Sequence, residues 1–394
     1  MRKTLFKWHS YGALIAMLPL LIMSITGSIL VFKVEIDSLL RPAHMLVDAT
    51  PSTPRVSLDT LMKTLLVTNP QFELGGWEIF DDKSRSDAGY IIKRGTEDWS
   101  KVYVNQYDGQ LLSEPQSLEH YLTDWLLELH YTFLLHVTGT SVALVVGIIM
   151  LFLGISGMML YRRFWAKLFT LRFQAVRRIL FSDIHKFIGI LSSPVLIIVA
   201  ATGVYWNVIG IQHELTEHPD GEHVYVTAAR HSKNISFEAL MRQTEVEIDS
   251  YKAGYLAMPF EPGRDITFYG DVDSRNPFNS EYASFVSFDR ITGLLLAKQD
   301  IRQANTLTVF LDSFRKLHFG YFGGLFTRII WCIVGLMPMI LAFTGLYSYW
   351  HRRKQRLKSI QNRRQQALSV ESPMLYTLMA VLIKMGRYPF DVTP

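Results

Sequence analysis

Four apolar runs, at about 9–33, 140–161, 185–206 and 325–349, constrain this chain more than any other feature. Each is long enough to cross a bilayer, which takes roughly 20 apolar residues of helix. Inside lipid the backbone must satisfy its own polar groups, so the runs are predicted to be helices packed as a bundle. A fifth apolar stretch, 374–385, is too short to span and is expected at the interface or against the bundle. The basic, then apolar, start of the chain has no A-x-A-like site after it, and its apolar run continues too far for a leader. It is read as a retained first helix.

Charge sorts the connections. Residues 161–178 carry six basic and no acidic side chains, 351–364 carry seven basic and none acidic, and Arg2, Lys3 and Lys7 precede the first run. Lys and Arg favour the cytoplasmic flank. The N-terminus, the 163–184 loop and the 351–394 tail are therefore expected in the cytoplasm, and the polar insertions 34–123 and 207–312 on the outer side. The net charge of +5 then reflects topology, and no nucleic-acid partner is called for. The resulting organisation is 1–33 as helix 1, 34–123 as an outer module, and 124–162 as helix 2 with its span. A basic loop follows at 163–184, helix 3 at 185–206, a second outer module at 207–312, helix 4 at 313–350 and the tail at 351–394.

The chain repeats itself. His9 precedes Gly27 by 18 residues, as His185 precedes Gly203; His130 precedes Gly157 by 27, as His318 precedes Gly345. In the insertions Ser57 matches Ser236, Gly75 matches Gly254, Asn105 matches Asp289 and Gly109 matches Gly293. The offset between copies climbs steadily from 176 at His9/His185 to 188 at His130/His318, the pattern of a duplication with small insertions. Each copy reads span, α+β module, span. Val56, Leu58, Leu61, Met62 and Leu65 recur at the helical period, alternating runs such as 88–94 and 101–107 read as strands, and Asp108-Gly109 and Thr292-Gly293 read as turns.

The repeat singles out four of twelve histidines, His9, His130, His185 and His318. His9 and His185 open spans that run outward and belong at the cytoplasmic edge; His130 and His318 precede spans that run inward and belong at the outer edge. Eighteen helical residues rise about 27 Å, so Gly27 and Gly203 reach the outer layer, and Gly157 and Gly345 fall in the inner one. Two histidines per layer, with small residues (Thr26, Gly27, Gly154, Gly157, Thr202, Gly203, Thr344, Gly345) to admit a flat ring, predict two bis-histidine b-type hemes. The alternative for each histidine taken singly is a polar helix cap. With Cys332 as the one cysteine, covalent c-type attachment and cysteine zinc sites are excluded. His136, opposite Gly324 in the repeat, is an alternative outer ligand or a neighbour of the site. His351 is expected to meet lipid headgroups, and His213, His218, His223 and His231 fit no zinc spacing. Trp125, Tyr131, Tyr205, Trp206, Phe319 and Tyr321 read as an interfacial belt or as a shield around the outer ring edge.

With "KWHSYG", "LHYTFLL", "DIHKFIGI", "LHFGYFGG", the Thr-Gly span ends and the Asp289-x-x-Thr292-Gly293 turn, the chain to about residue 352 resembles the PepSY-associated transmembrane family. The first module departs from it at "NQYDG", and His136 departs at a position that is not normally histidine. The resemblance implies a bacterial inner-membrane protein with periplasmic PepSY modules. It extends to family members that are heme-containing reductases of ferric siderophores, of the ferrioxamine reductase type, with His9, His130, His185 and His318 as axial ligands. The partners would be a ferric siderophore outside and a cytoplasmic or quinol electron donor inside. Two other readings stand beside it: a non-redox PepSY protein that regulates or assembles a periplasmic partner, and a heme carrier with a different acceptor. No glycine pair has P-loop or dinucleotide spacing.

Overall fold

The computed structural model describes residues 2–48, 53–80, 82–161, 171–217 and 225–384. Its bundle is built from α1 (Arg2–Ile15) with α2 (Met17–Leu30), α7 (His136–Leu160), α8 (Arg177–Glu217), and α11 (Gly324–Gly335) with α12 (Met337–Lys384). The helical stretches His136–Leu160, Arg177–Thr216 and Tyr321–Gln366 are each long and apolar enough to cross a membrane; α1 and α2 make a fourth span if taken together. Part of the expected 163–184 loop, at 163–170, lies outside the described residues, as do Arg162, His218 and His223.

The expected first span is not one straight helix: α1 and α2 meet at 66°. The cause is Pro19, which has no N–H for the carbonyl of Ile15 four residues back, and the break falls at Ala16, which is buried. Pro338 stands in the same relation to Val334, and there α11 gives way to α12. Helix 3 extends past its expected 185–206 on both sides, and α12 carries the chain as helix from Met337 to Lys384, taking in most of the fifth apolar stretch.

The elements beyond the bundle are α3 (Lys33–Leu40), α4 (Pro42–Met45), α5 (Leu58–Thr68), α6 (Leu122–Thr132), α9 (Phe237–Glu247), α10 (Thr306–Phe319) and eight strands. The strands are β1 (Phe72–Glu78), β2 (Asp87–Lys93), β3 (Trp99–Val104), β4 (Gln116–Ser117), β5 (Lys252–Ala257), β6 (Ile266–Asp271), β7 (Ser284–Phe288) and β8 (Leu295–Gln299). The two insertions do not stand as separate modules. They share one antiparallel sheet, ordered β4-β3-β2-β1-β5-β6-β7-β8, closed at its centre by β1 on β5. Leu61, Leu65, Trp77 and Ile91 from the first half join Leu240, Leu256, Phe268 and Phe288 from the second in one buried cluster. Neither half shields its apolar face alone.

The halves correspond element by element. Ser57 and Ser236 each accept a hydrogen bond at a helix start, from Thr60 N and Ala239 N. The ladder slips at Gly75 in β1 and at Gly254 in β5. Gly109 and Gly293 both take positive φ, 78° and 72°, and donate to the carbonyls of Asn105 and Asp289 at 2.9 Å. The helices also cap one another. Glu238 accepts from Leu58 N at 3.0 Å, and Asp59 accepts from Phe237 N at 2.7 Å, so each half satisfies orphan amides of the other.

Helices α6 and α10 are distinct from the spans that follow them. Left-handed Phe133, Leu134 and His136 (φ 51°, 61° and 49°) separate α6 from α7, and Gly320 and Gly324 (φ 75° and 62°) separate α10 from α11. Glycine adopts this region freely, whereas the first break uses residues that resist it. A buried ion network holds α6 in place. Lys33 bridges Asp37 at 2.8 Å and Asp124 at 2.7 Å, Lys101 of β3 meets Asp124 at 2.8 Å, and Arg41 meets Asp37 at 2.8 Å. Burial alone raises the Asp124 carboxyl, but Lys101 and Lys33 outweigh it and hold it below the usual carboxylate range.

Candidate functional site

The four repeat histidines come together in two pairs. At the sheet end of the bundle, His130 of α6 and His318 of α10 face each other with ring centres 6.4 Å apart. At the far end, His9 of α1 and His185 of α8 line a common cavity of about 710 Å³, within the usual range of cofactor sites. Along α8, His185 and the Gly203 that touches His318 are 18 residues apart, a rise of about 27 Å.

Each ring is anchored in the same way. Nδ1 of His130 lies 3.0 Å from Thr26 Oγ1, His318 2.9 Å from Thr202 Oγ1, His185 3.0 Å from Thr344 Oγ1, and His9 2.7 Å from Ser156 Oγ. A hydroxyl has one proton to donate. Thr26, Thr202 and Thr344 direct theirs to carbonyls one turn back, Ile22, Ile198 and Ile340, at 2.7–2.8 Å; Ser156 has the Leu153 carbonyl at 3.3 Å. The hydroxyls are 1–3% exposed, so water does not offer another arrangement. For the three threonines this leaves the hydroxyl to accept from an Nδ1–H, the tautomer whose lone pair is on Nε2; Ser156 makes its shorter contact to His9, where either atom can donate.

The residue after each hydroxyl is glycine, and it makes room. A Cβ added at Gly27 would stand 2.8 Å from Cε1 of His130; at Gly203, 3.3 Å from His318; at Gly345, 3.3 Å from His185; at Gly157, 3.6 Å from His9. The Thr-Gly pairs are legible in the sequence, but there they read only as space. The hydroxyl as a partner of each ring, and Ser156 as its fourth instance, are visible only with the rings in place. Lining up the four positions before glycine (Thr, Ser, Thr, Thr) is the signal that finds them.

The other expected positions separate. His136 sits exposed at the start of α7, while His130 occupies the place beside Thr26. His213 Nε2 meets Arg264 at 2.9 Å, and His231 packs edge-on against Phe237. Among the described residues no group of three or more His, Cys, Asp or Glu side chains is placed to hold a metal ion. Trp125 and Trp206 are exposed, as an interfacial belt requires, whereas Phe319 lies against His318 and stacks on Tyr321. The mouth of the far cavity has Arg2, Lys3, Lys186 and Arg352 among its lining and no acidic side chain.

Residues 6–352 match the family model of the PepSY-associated TM region, an interval that holds all four histidines and all four of their glycines. The chain belongs to the PepSY-associated transmembrane family. It is accordingly a membrane protein, in agreement with its three or four apolar spans. No curated protein matches it at a significant level. Membership in the PepSY-associated family also places the sheet, built from 34–123 and 207–312, inside the matched interval as an integral part of the unit.

Proposed function

We propose that the protein is a two-heme reductase of the bacterial inner membrane. It would carry electrons from the cytoplasmic side to the periplasm, there reducing a ferric siderophore and releasing Fe(II). The observation that supports this most is the fourfold anchoring of the histidines: four imidazoles, each with Nδ1 on a hydroxyl, in two pairs toward the two ends of the bundle.

The residues suit heme on three counts. The facing rings of His130 and His318, with centres 6.4 Å apart, would hold one heme iron between them through an imidazole nitrogen of each. A pair of histidines is an incomplete ligand set for a bare ion, so the metal must bring its other ligands with it, as a porphyrin does. The far cavity is roomy and apolar, with four cations at its mouth to meet carboxylates. A bound heme supplies one-electron chemistry. The chain itself holds the ligand tautomer through Thr26, Thr202 and Thr344, opens the ring space through glycine, and keeps water from the hydroxyls by burial.

The basic flanks around Arg2, Lys186 and Arg352 orient the His9/His185 end toward the cytoplasm. The sheet then lies in the periplasm, over the His130/His318 end. No nucleotide-binding segment is present in the sequence, so electrons come from a separate donor, a cytoplasmic protein, a reduced flavin or a quinol. One electron per iron suffices for release, because siderophore oxygens are hard donors that favour Fe(III) over Fe(II).

The test is the visible spectrum of the detergent-purified protein, oxidised and dithionite-reduced, with heme counted per chain. Two b-type hemes are expected, one remaining in His318→Ala and one in His185→Ala, and a ferric chelate should reoxidise the reduced protein. Protein free of heme after expression with ample iron overturns the reading and favours a non-redox PepSY partner role. Two hemes with no reoxidation by ferric chelates point to a different acceptor.

A further inference from the structure

Helix α12 does not stop at the far cavity. It passes the mouth at Arg352 and continues as helix. From His351 to Arg364 it carries seven basic side chains and no acidic one, and all seven are exposed. Asp183 of α8, at the same end of the bundle, is already held by two nitrogens of Arg172 at 2.9 Å. The projection is braced by a second helix. Arg178, at the start of α8, reaches Gln355 at 3.2 Å, and Gln355 lies 3.0 Å from His351 Nε2. Arg177 and Arg178 are exposed there too, so the basic surface is continuous with Arg2, Lys3, Lys186 and Arg352 at the cavity mouth.

Topology alone does not call for this much charge. Basic residues mark the cytoplasmic flank of a span, and a headgroup layer roughly 5–8 Å deep is where they act. Arg363 and Arg364 stand a further rise of about 17–18 Å along the helix from Arg352. A helix that lies on lipid keeps its charges away from one apolar face. This one carries them all round: at 100° per residue Arg352, Arg356 and Arg363 share one side, Arg353 and Arg364 a second, and Lys354 and Lys358 a third. Leu357 and Ile360, the apolar residues of the stretch, fall on the side of Arg353 and Arg364. A surface of charge with no apolar centre does not suit a permanent subunit, whose interface resembles a core. It suits a brief encounter steered by opposite charge, and electron-transfer partners meet in that way.

We infer that the basic extension of α12, with Arg177 and Arg178 of α8, docks an acidic one-electron carrier protein at the mouth of the His9/His185 cavity. This rests on the reading of the chain as a reductase and names the class of its electron donor.

The test uses the full chain in lipid nanodiscs. The probes are two acidic carriers, a flavodoxin and a plant-type ferredoxin, with a basic cytochrome c as the counter-probe. Interferometry is expected to show association with an acidic carrier and none with cytochrome c, slowing by about tenfold or more from low to physiological salt. Arg356→Gln/Arg363→Gln/Arg364→Gln should slow it about as much at low salt with the thermal midpoint unchanged, since these side chains lie outside the cavity. Binding of neither acidic carrier, binding indifferent to salt, or a triple variant that binds like the wild type overturns the inference. So does binding that vanishes when neutral nanodisc lipids are replaced by anionic ones, because headgroups then occupy the arginines. The readout does not depend on heme. Protein with two hemes that binds no acidic carrier loses this surface and keeps the reductase reading; protein without heme that binds one in a salt-dependent way does the reverse.

Discussion

Replacing Thr202 by valine isolates the hydroxyl that assigns the His318 tautomer. Valine has nearly the same shape, so the change removes one acceptor and leaves the packing of α8 in place. The magnitude follows from the local bonds. The Thr202 proton is directed to Ile198 O at 2.8 Å and Val199 O at 3.0 Å, so the 2.9 Å contact to His318 is donated by Nδ1–H. The hydroxyl is 2% exposed, and water cannot replace it. An N–H left unpartnered in such a place costs about 1–3 kcal/mol, or roughly 5–150-fold in an equilibrium. That range overlaps the roughly 10–100-fold loss typical when the partner of a ligand histidine is removed. The imidazole is also freed to carry its proton on Nε2, which removes the lone pair that a metal needs. Hemin titration of Thr202→Val should therefore show one of two sites weakened by about 10–100-fold. The heme that remains there should have a raised midpoint potential, because a less basic imidazole favours Fe(III) less. Thr202→Ser keeps the oxygen and should restore both. If Thr202→Val binds heme with unchanged affinity and potential, or if Thr202→Ser is as impaired as valine, the tautomer argument is wrong.

Three further outcomes are expected. In the series Gly27→Ala, Gly203→Ala, Gly345→Ala and Gly157→Ala, heme occupancy should fall most for Gly27 and least for Gly157, following the added Cβ distances of 2.8, 3.3, 3.3 and 3.6 Å; a flat series in the spectra argues against close ring packing. Asp124 contributes stability in full above about pH 4, the ordinary carboxylate value, and loses it as pH falls through its depressed folded value; Asp124→Asn should cost about 3–5 kcal/mol at neutral pH and flatten the acid limb of the thermal midpoint. Asp59→Ala and Glu238→Ala should each lower stability by about 0.5–2 kcal/mol, read by denaturant unfolding of the protein, since each removes an acceptor at the start of the opposite helix, beside the cap Ser236 or Ser57.

Much of this protein is legible in one dimension. The spans are visible because lipid demands about 20 apolar residues of helix, and the two layers are visible because helical rise converts 18 residues into about 27 Å. The repeat then selects His9, His130, His185 and His318 from twelve histidines, and those are the four whose rings the fold anchors on hydroxyls. His136 stands apart because the left-handed break before α7 turns it outward, and a 3.6-residue period cannot anticipate a break made by Phe133 and Leu134.

What periodicity and spacing could not supply is contact between segments far apart in the chain. The sequence shows two outer modules, but only folding joins β1 to β5, because pairing across their edges depends on register and on a shared apolar core rather than on either pattern alone. It shows Thr-Gly or Ser-Gly in each histidine's partner helix, but not that each threonine's proton is within reach of a carbonyl of its own helix, which leaves its oxygen to accept from Nδ1. Local hydropathy therefore determined which segments are long and apolar enough to cross a membrane, because burial in lipid is a property of each segment by itself. Tertiary structure decided what those histidines can bind, because tautomer, ring space and charge are set by partners a hundred or more residues away.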